Sequence, residues 1–175
     1  MIQKQNAKVY EKRHDNSLIT PLAFGGFLII VGVIFASTPN LWHDITYFFD
    51  HMTTSALPSG SSSSQIILPA PLNPEAHSGL YTALLQFDIA FGILQLVILG
   101  LRLWTRSTIR RISETLGNAV FWLGAAVLVN AFLLAGTLSG WFQYWAALII
   151  VVGVSLVARA LVYFIKKPNS FSFLS

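Results

Sequence analysis

Cysteine is absent from the chain. With it go disulfides, thiolate metal sites, iron–sulfur clusters, c-type haem attachment and thiol nucleophiles. Charge is scarce as well. Only 10% of the residues are Asp, Glu, Lys or Arg, against roughly 25% in an average soluble domain. An ordinary soluble globule is excluded on that count. A disordered chain is excluded too, since it needs low hydrophobicity and high charge. No long apolar run contains a histidine, which argues against a b-type haem ligated inside the membrane. The sequence has no Gly-x-Gly-x-x-Gly, phosphate-binding Gly-Lys-Ser/Thr, His-Glu-x-x-His or Gly-x-Ser-x-Gly, so the usual nucleotide, zinc-protease and hydrolase signatures are missing.

Apolar residues are what the chain has, at 54% of its length. This is the composition of an integral membrane protein. A spanning helix needs about 20 mostly apolar residues, and four runs qualify: 18–38, 80–101, 116–138 and 142–165. The expected fold is therefore a single all-α domain, a bundle of four transmembrane helices. A cytoplasmic N-terminus (1–17), an external loop (39–79), a basic inner loop (102–115), a short external turn (139–141) and a tail (166–175) complete it.

Orientation follows from Lys and Arg. Lys4, Lys8, Lys12 and Arg13 precede the first span. Arg102, Arg106, Arg110 and Arg111 lie between the second and third. Arg159, Lys166 and Lys167 close the fourth, and Pro39 to Gly79 has no basic residue. The positive-inside rule then predicts cytoplasmic termini and residence in the cell membrane. The net charge of +4 reflects this sidedness, not a nucleic-acid partner. Four arginines in the inner loop are expected to attract anionic lipid head groups, at about 1 kcal/mol each. The N-terminal segment reads as a signal anchor, because its apolar run is long and no clear small-x-small cleavage site follows.

The external loop opens with Pro39. Leu41, Trp42, Ile45, Phe48, Phe49 and Met52 then recur at helical spacing, which predicts an amphipathic helix over 41–54 lying in the outer interface. The Ser61–Ser64 run is expected to be mobile, and Pro69, Pro71 and Pro74 to follow an extended path. His43, His51 and His77 share this loop with Asp44, Asp50 and Glu75. A metal site would be one use for them. However, His43 and His51 are about 12 Å apart along a helix, and ligand helices use i,i+3 or i,i+4 spacing. The wet face of an interfacial helix accounts for them better, and no cofactor is expected.

Polar residues inside the spans carry the most information. Asp88 lies about 21 Å from Arg102 along a helix, and an acid there costs about 2.5–3.5 kcal/mol on insertion scales. Gln95 is two turns along the same face. Asn130 reaches a depth like that of Asp88, and Arg159 one like that of Gln95, with Ser155 a turn away. A polar seam is expected, pairing Asp88 with Asn130 and Gln95 with Arg159. Such a seam either locks the bundle, at roughly 0.6 kcal/mol per hydrogen bond, or lines a proton, ion or solute path. The lock suits the amides; Asp88 is balanced between the two.

The absence of catalytic motifs, the small size and the small-residue helix faces favour an accessory or scaffolding subunit that packs against other membrane subunits or itself. A small transporter or ion- or proton-conducting oligomer using Asp88 is the alternative. A metal-dependent enzyme facing outward is the third reading.

Overall fold

A computed structural model of the chain describes residues 2–56 and 67–165, with side chains from Ile19 onward. The element order is α1 (Ile2–Ser37), α2 (Leu41–Asp50), β1 (Met52–Ala56), β2 (Ile67–Pro71), a 3-10 turn (Pro74–His77), α3 (Ser78–Trp104), α4 (Ile109–Leu128) running into a π-turn (Val129–Leu133), and α5 (Leu138–Ile165). Four of these helices are long and apolar enough to cross a membrane, over Ile19–Ser37, Pro74–Trp104, Ile109–Leu133 and Leu138–Ile165. The four expected spans are thus present, and the chain is a multi-pass membrane protein by that measure. The Ser61–Ser64 run and the 166–175 tail lie outside the described residues.

Helix α4 is the centre of the bundle. It packs against α3 on one side and α5 on the other, while α1 leans chiefly on α3. Glycines set the close approaches. A Cβ at Gly26 would strike Leu94 across the α1–α3 contact, one at Gly92 would strike Leu123 across α3–α4, and one at Gly124 would strike Val151 across α4–α5. Close packing of this kind drives helix association where lipid removes the hydrophobic incentive. Aromatic rings add to it at mid-height. Phe87 and Phe91 stack at 5.6 Å, Phe27 meets both edge-on, and Trp122 meets Phe91 at 4.8 Å.

The segment between α1 and α3 departs from the expected helix and extended path. Helix α2 stops at Asp50, four residues early, and Met52–Ala56 pairs antiparallel with Ile67–Pro71. Pro69 and Pro71 therefore sit in a strand. An isolated two-stranded ribbon has two edges, where prolines lacking N–H groups do little harm. The ribbon is held to the bundle by Trp141, whose Nε1 donates to the Pro69 carbonyl at 3.0 Å. Trp141 is itself buried.

The reversal between α4 and α5 also falls earlier than Ser139–Gly140. The turn occupies 134–137, where Gly136 takes φ +62°. Thr137 then caps α5, accepting from the Gly140 N–H at 3.0 Å. A left-handed residue plus an oxygen cap ends one helix and starts the next. Ser139 and Gly140 belong to the first turn of α5.

At the opposite end, α3 closes with a paired 6→1 and 5→2 motif. The Ser107 N–H donates to the Arg102 carbonyl and the Arg106 N–H to the Leu103 carbonyl, with Arg106 left-handed at φ +48°. That conformation costs a non-glycine residue about 1–2 kcal/mol. Arg106→Gly should therefore raise the unfolding free energy by about 1 kcal/mol. Denaturation in mixed micelles measures it, and unchanged stability would show that the turn is unstrained.

Candidate functional site

Helix α3 presents one polar stripe to the bundle interior. His77, Tyr81, Asp88, Gln95 and Arg102 stand at spacings of four, seven, seven and seven. Seven residues are nearly two full turns, so all five fall within a narrow arc of the helix. His77, Tyr81, Asp88 and Gln95 are buried, and Arg102 is half-buried. Asp88 is the deepest of them at 2% exposure. The stripe runs the length of α3, about 40 Å for a helix of its size.

The stripe is poorly satisfied. Among the described residues, five buried side-chain polar atoms have no hydrogen-bond partner: His77 Nε2, Tyr81 Oη, Asp88 Oδ2, Arg102 Nε and Arg159 Nε. Four of the five belong to this stripe, three on α3 and His77 on the 3-10 turn that leads into it. A buried polar atom left unpaired costs about 1–3 kcal/mol, so folded chains rarely collect them in a row. Tyr144 of α5 is buried as well. Tyr81 packs among Val129, Leu133, Trp141 and Tyr144.

The expected pairings across the bundle are not made. Asn130 has the height of Asp88 but the wrong azimuth. It follows buried Val129 by one residue, a rotation of about 100°, and points outward on an exposed face. Arg159 turns to Asn118 in place of Gln95, donating from Nη2 to Oδ1 at 2.6 Å. Gly117 makes this possible, because a Cβ there would overlap Nε and Cγ of Arg159. Ser155 is buried but spends its hydroxyl on the Val152 carbonyl of its own helix at 2.8 Å. So Asp88 and Gln95 share a face as expected, while Asn130, Ser155 and Arg159 make other arrangements.

Of the four arginines around the α3–α4 connection, Arg102 is drawn into the bundle. Its Nη1 donates to the Arg111 carbonyl at 2.6 Å and also to Thr115 Oγ1. Arg106, Arg110 and Arg111 remain exposed, with Arg110 bonded to Glu114 at 2.9 Å on the α4 surface. Exposed i,i+4 pairs of this kind contribute about 0.3–0.5 kcal/mol.

The three loop histidines part company. His43 is exposed beside Asp44, 3.8 Å away. His51 ends α2, with Nδ1 2.8 Å from the Tyr47 carbonyl. His77 is buried between α2 and α3, its ring 5.0 Å from Phe48 and 5.6 Å from Tyr47. Among the described residues, no three His, Asp or Glu side chains are grouped so as to hold a metal ion.

The burial of His77 and Tyr81, the inward turn of Arg102 and the Arg159–Asn118 bond are not expected from the sequence. A usable signal was present. The polar spacing continues past both ends of the apolar run in 80–101, to Arg102 seven residues after Gln95 and to His77 four residues before Tyr81. No family model matches the chain, and neither a curated protein nor a solved structure similar to it was found.

Proposed function

We propose that this chain moves protons across a membrane, with Asp88 as the group that takes and releases them. The observation that carries this reading is the stripe along α3, where polar side chains turned to the interior stand seven residues apart on both sides of Asp88, and where, among the described residues, Tyr81 Oη, Asp88 Oδ2 and Arg102 Nε have no hydrogen-bond partner. A charged carboxylate in a membrane interior is costly. Asp88 is therefore neutral at rest and ionises only while a neighbouring group or water accepts its proton. The helices approach one another at glycine, which leaves little room for a larger solute. A proton needs only a chain of hydrogen-bonding groups and water. In the same proposal the basic end of the bundle faces the cytoplasm of the cell membrane, where Arg106, Arg110 and Arg111 meet anionic head groups.

Reconstitution tests this directly. Purified protein goes into phosphatidylethanolamine–phosphatidylglycerol vesicles with a trapped pH dye, and a potassium diffusion potential is imposed with valinomycin. The proton flux should rise with protein content and persist when choline replaces sodium. Flux equal to that of protein-free vesicles would refute the reading.

A subunit role has one observation in its favour. Gly25 and Gly32 of α1, seven residues apart, and Gly153 of α5 have nothing within 4 Å of the position a Cβ would take. Such faces admit another helix closely. If the chain serves a larger assembly, gentle solubilisation of native membranes recovers a stoichiometric partner, and flux appears only with that partner present.

A further inference from the structure

Among the described residues, His77 Nε2 and the Tyr81 hydroxyl are buried with no hydrogen-bond partner. His77 is 3% exposed, and its Nε2 has no partner. Tyr81 is 3% exposed, and its hydroxyl has none. Their rings lie 6.3 Å apart between centroids. Both sit above Asp88 on the same stripe, toward the end covered by α2 and the β-ribbon. Side chains on a helix tilt toward its N-terminus, so Asp88 and Tyr81 both lean toward the capped end. The two residues are about 10 Å apart along the axis, so a proton passes between them only through intervening hydrogen-bonded water. His51, at the C-cap of α2, and His77 flank the Tyr47 ring, at 3.9 and 5.6 Å between centroids. The Asp44 carboxylate lies over the first turn of α3, its Oδ2 3.0 Å from where a Cβ on Gly79 would stand.

From this geometry we infer that His77 and Tyr81 are the limb through which protons pass between Asp88 and the capped end, with Asp44 and His51 collecting them at the rim. The inference rests on Asp88 being the carrier. One transfer balances as follows. A proton joins Nδ1 of His77 while the proton on Nε2 leaves inward. The ring is left neutral in its other tautomer, and no net charge stays in the site. The departing proton passes to water or to the Tyr81 oxygen, whose own proton moves on. The Asp88 carboxylate receives one proton and becomes a carboxyl. Tyr47 and Phe48, packed on His77, separate this limb from open solvent.

Proton currents across planar bilayers test it, with Tyr81→Phe, His77→Ala and Asp88→Asn compared. Tyr81→Phe removes a hydroxyl that holds nothing, so a purely structural Tyr81 predicts no loss. The inference predicts a fall of about tenfold or more in Tyr81→Phe and in His77→Ala, as for loss of a positioned proton-transfer group. Imidazole at equal concentration on both sides should restore His77→Ala but not Asp88→Asn. If His77→Ala does not fold, Tyr81→Phe decides alone. Wild-type current in Tyr81→Phe, with current lost in Asp88→Asn, would overturn the limb and leave Asp88 as carrier. Wild-type current in Asp88→Asn would instead remove the carrier itself.

Discussion

Asp88→Asn should abolish proton flux while leaving the protein folded in the membrane. Asn has the shape of a carboxyl and cannot lose a proton in this range, so it tests titration without testing volume. The side chain is 2% exposed with Oδ2 unpartnered. No hydrogen bond to Oδ2 is therefore broken by the change. Asp88 is neutral at rest in this account, so Asn leaves the charge of the resting site unchanged; what it removes is access to the ionised state, which costs about 2.5–3.5 kcal/mol on insertion scales. Stability should hold or rise while flux falls to that of protein-free vesicles. Full flux in the folded variant would contradict the proposal, as would wholesale unfolding, which would make Asp88 a lock.

The second large effect is expected at Gly140. It lies in the first turn of α5, and its N–H caps onto Thr137 at 3.0 Å. A Cβ there would overlap the carbonyl oxygen of Phe132, and Thr137 Oγ1 would lie 3.0 Å from it. The Phe132 carbonyl belongs to the π-turn, so the obstacle is backbone and cannot swing aside. Gly140→Val should cost about 3 kcal/mol, the upper part of the range for overpacking. It should also loosen Trp141, which carries the bond to the β-ribbon. Resistance to denaturation in mixed micelles measures this. Wild-type resistance would mean that the α4–α5 turn is more adaptable than its packing indicates.

Sequence patterning carried the four spans, because each run meets the length that a bilayer demands. It also carried Asp88, because an acid in such a run stands out. Height along a helix was readable, since rise per residue is constant. Azimuth was not. Asn130 has the depth of Asp88 yet faces outward, inside the π-turn Val129–Leu133, whose wider turn changes the azimuth of its residues. Arg159 found Asn118 because Gly117 leaves room, a fact of packing that spacing along one chain does not express. The β-ribbon escaped notice for another reason. Its strands are five residues each, one carrying two prolines, which argue against a strand unless both edges are free. His77 was grouped with His43 and His51 as part of a wet loop. Only the docking of α2 on α3 buries it and joins it to the stripe of Asp88.

Infrared spectroscopy of the reconstituted protein asks most directly whether the Asp88 proton is mobile. The carbonyl stretch of a protonated carboxyl is resolved from the amide bands and shifts when hydrogen is replaced by deuterium. Proton movement through Asp88 predicts a carboxyl band in wild type that is missing in Asp88→Asn. That band should shift promptly on transfer to heavy water and lose intensity as the pH is raised. A band unmoved by heavy water or by pH would show a sealed acid that only holds the bundle together, and the account would be wrong.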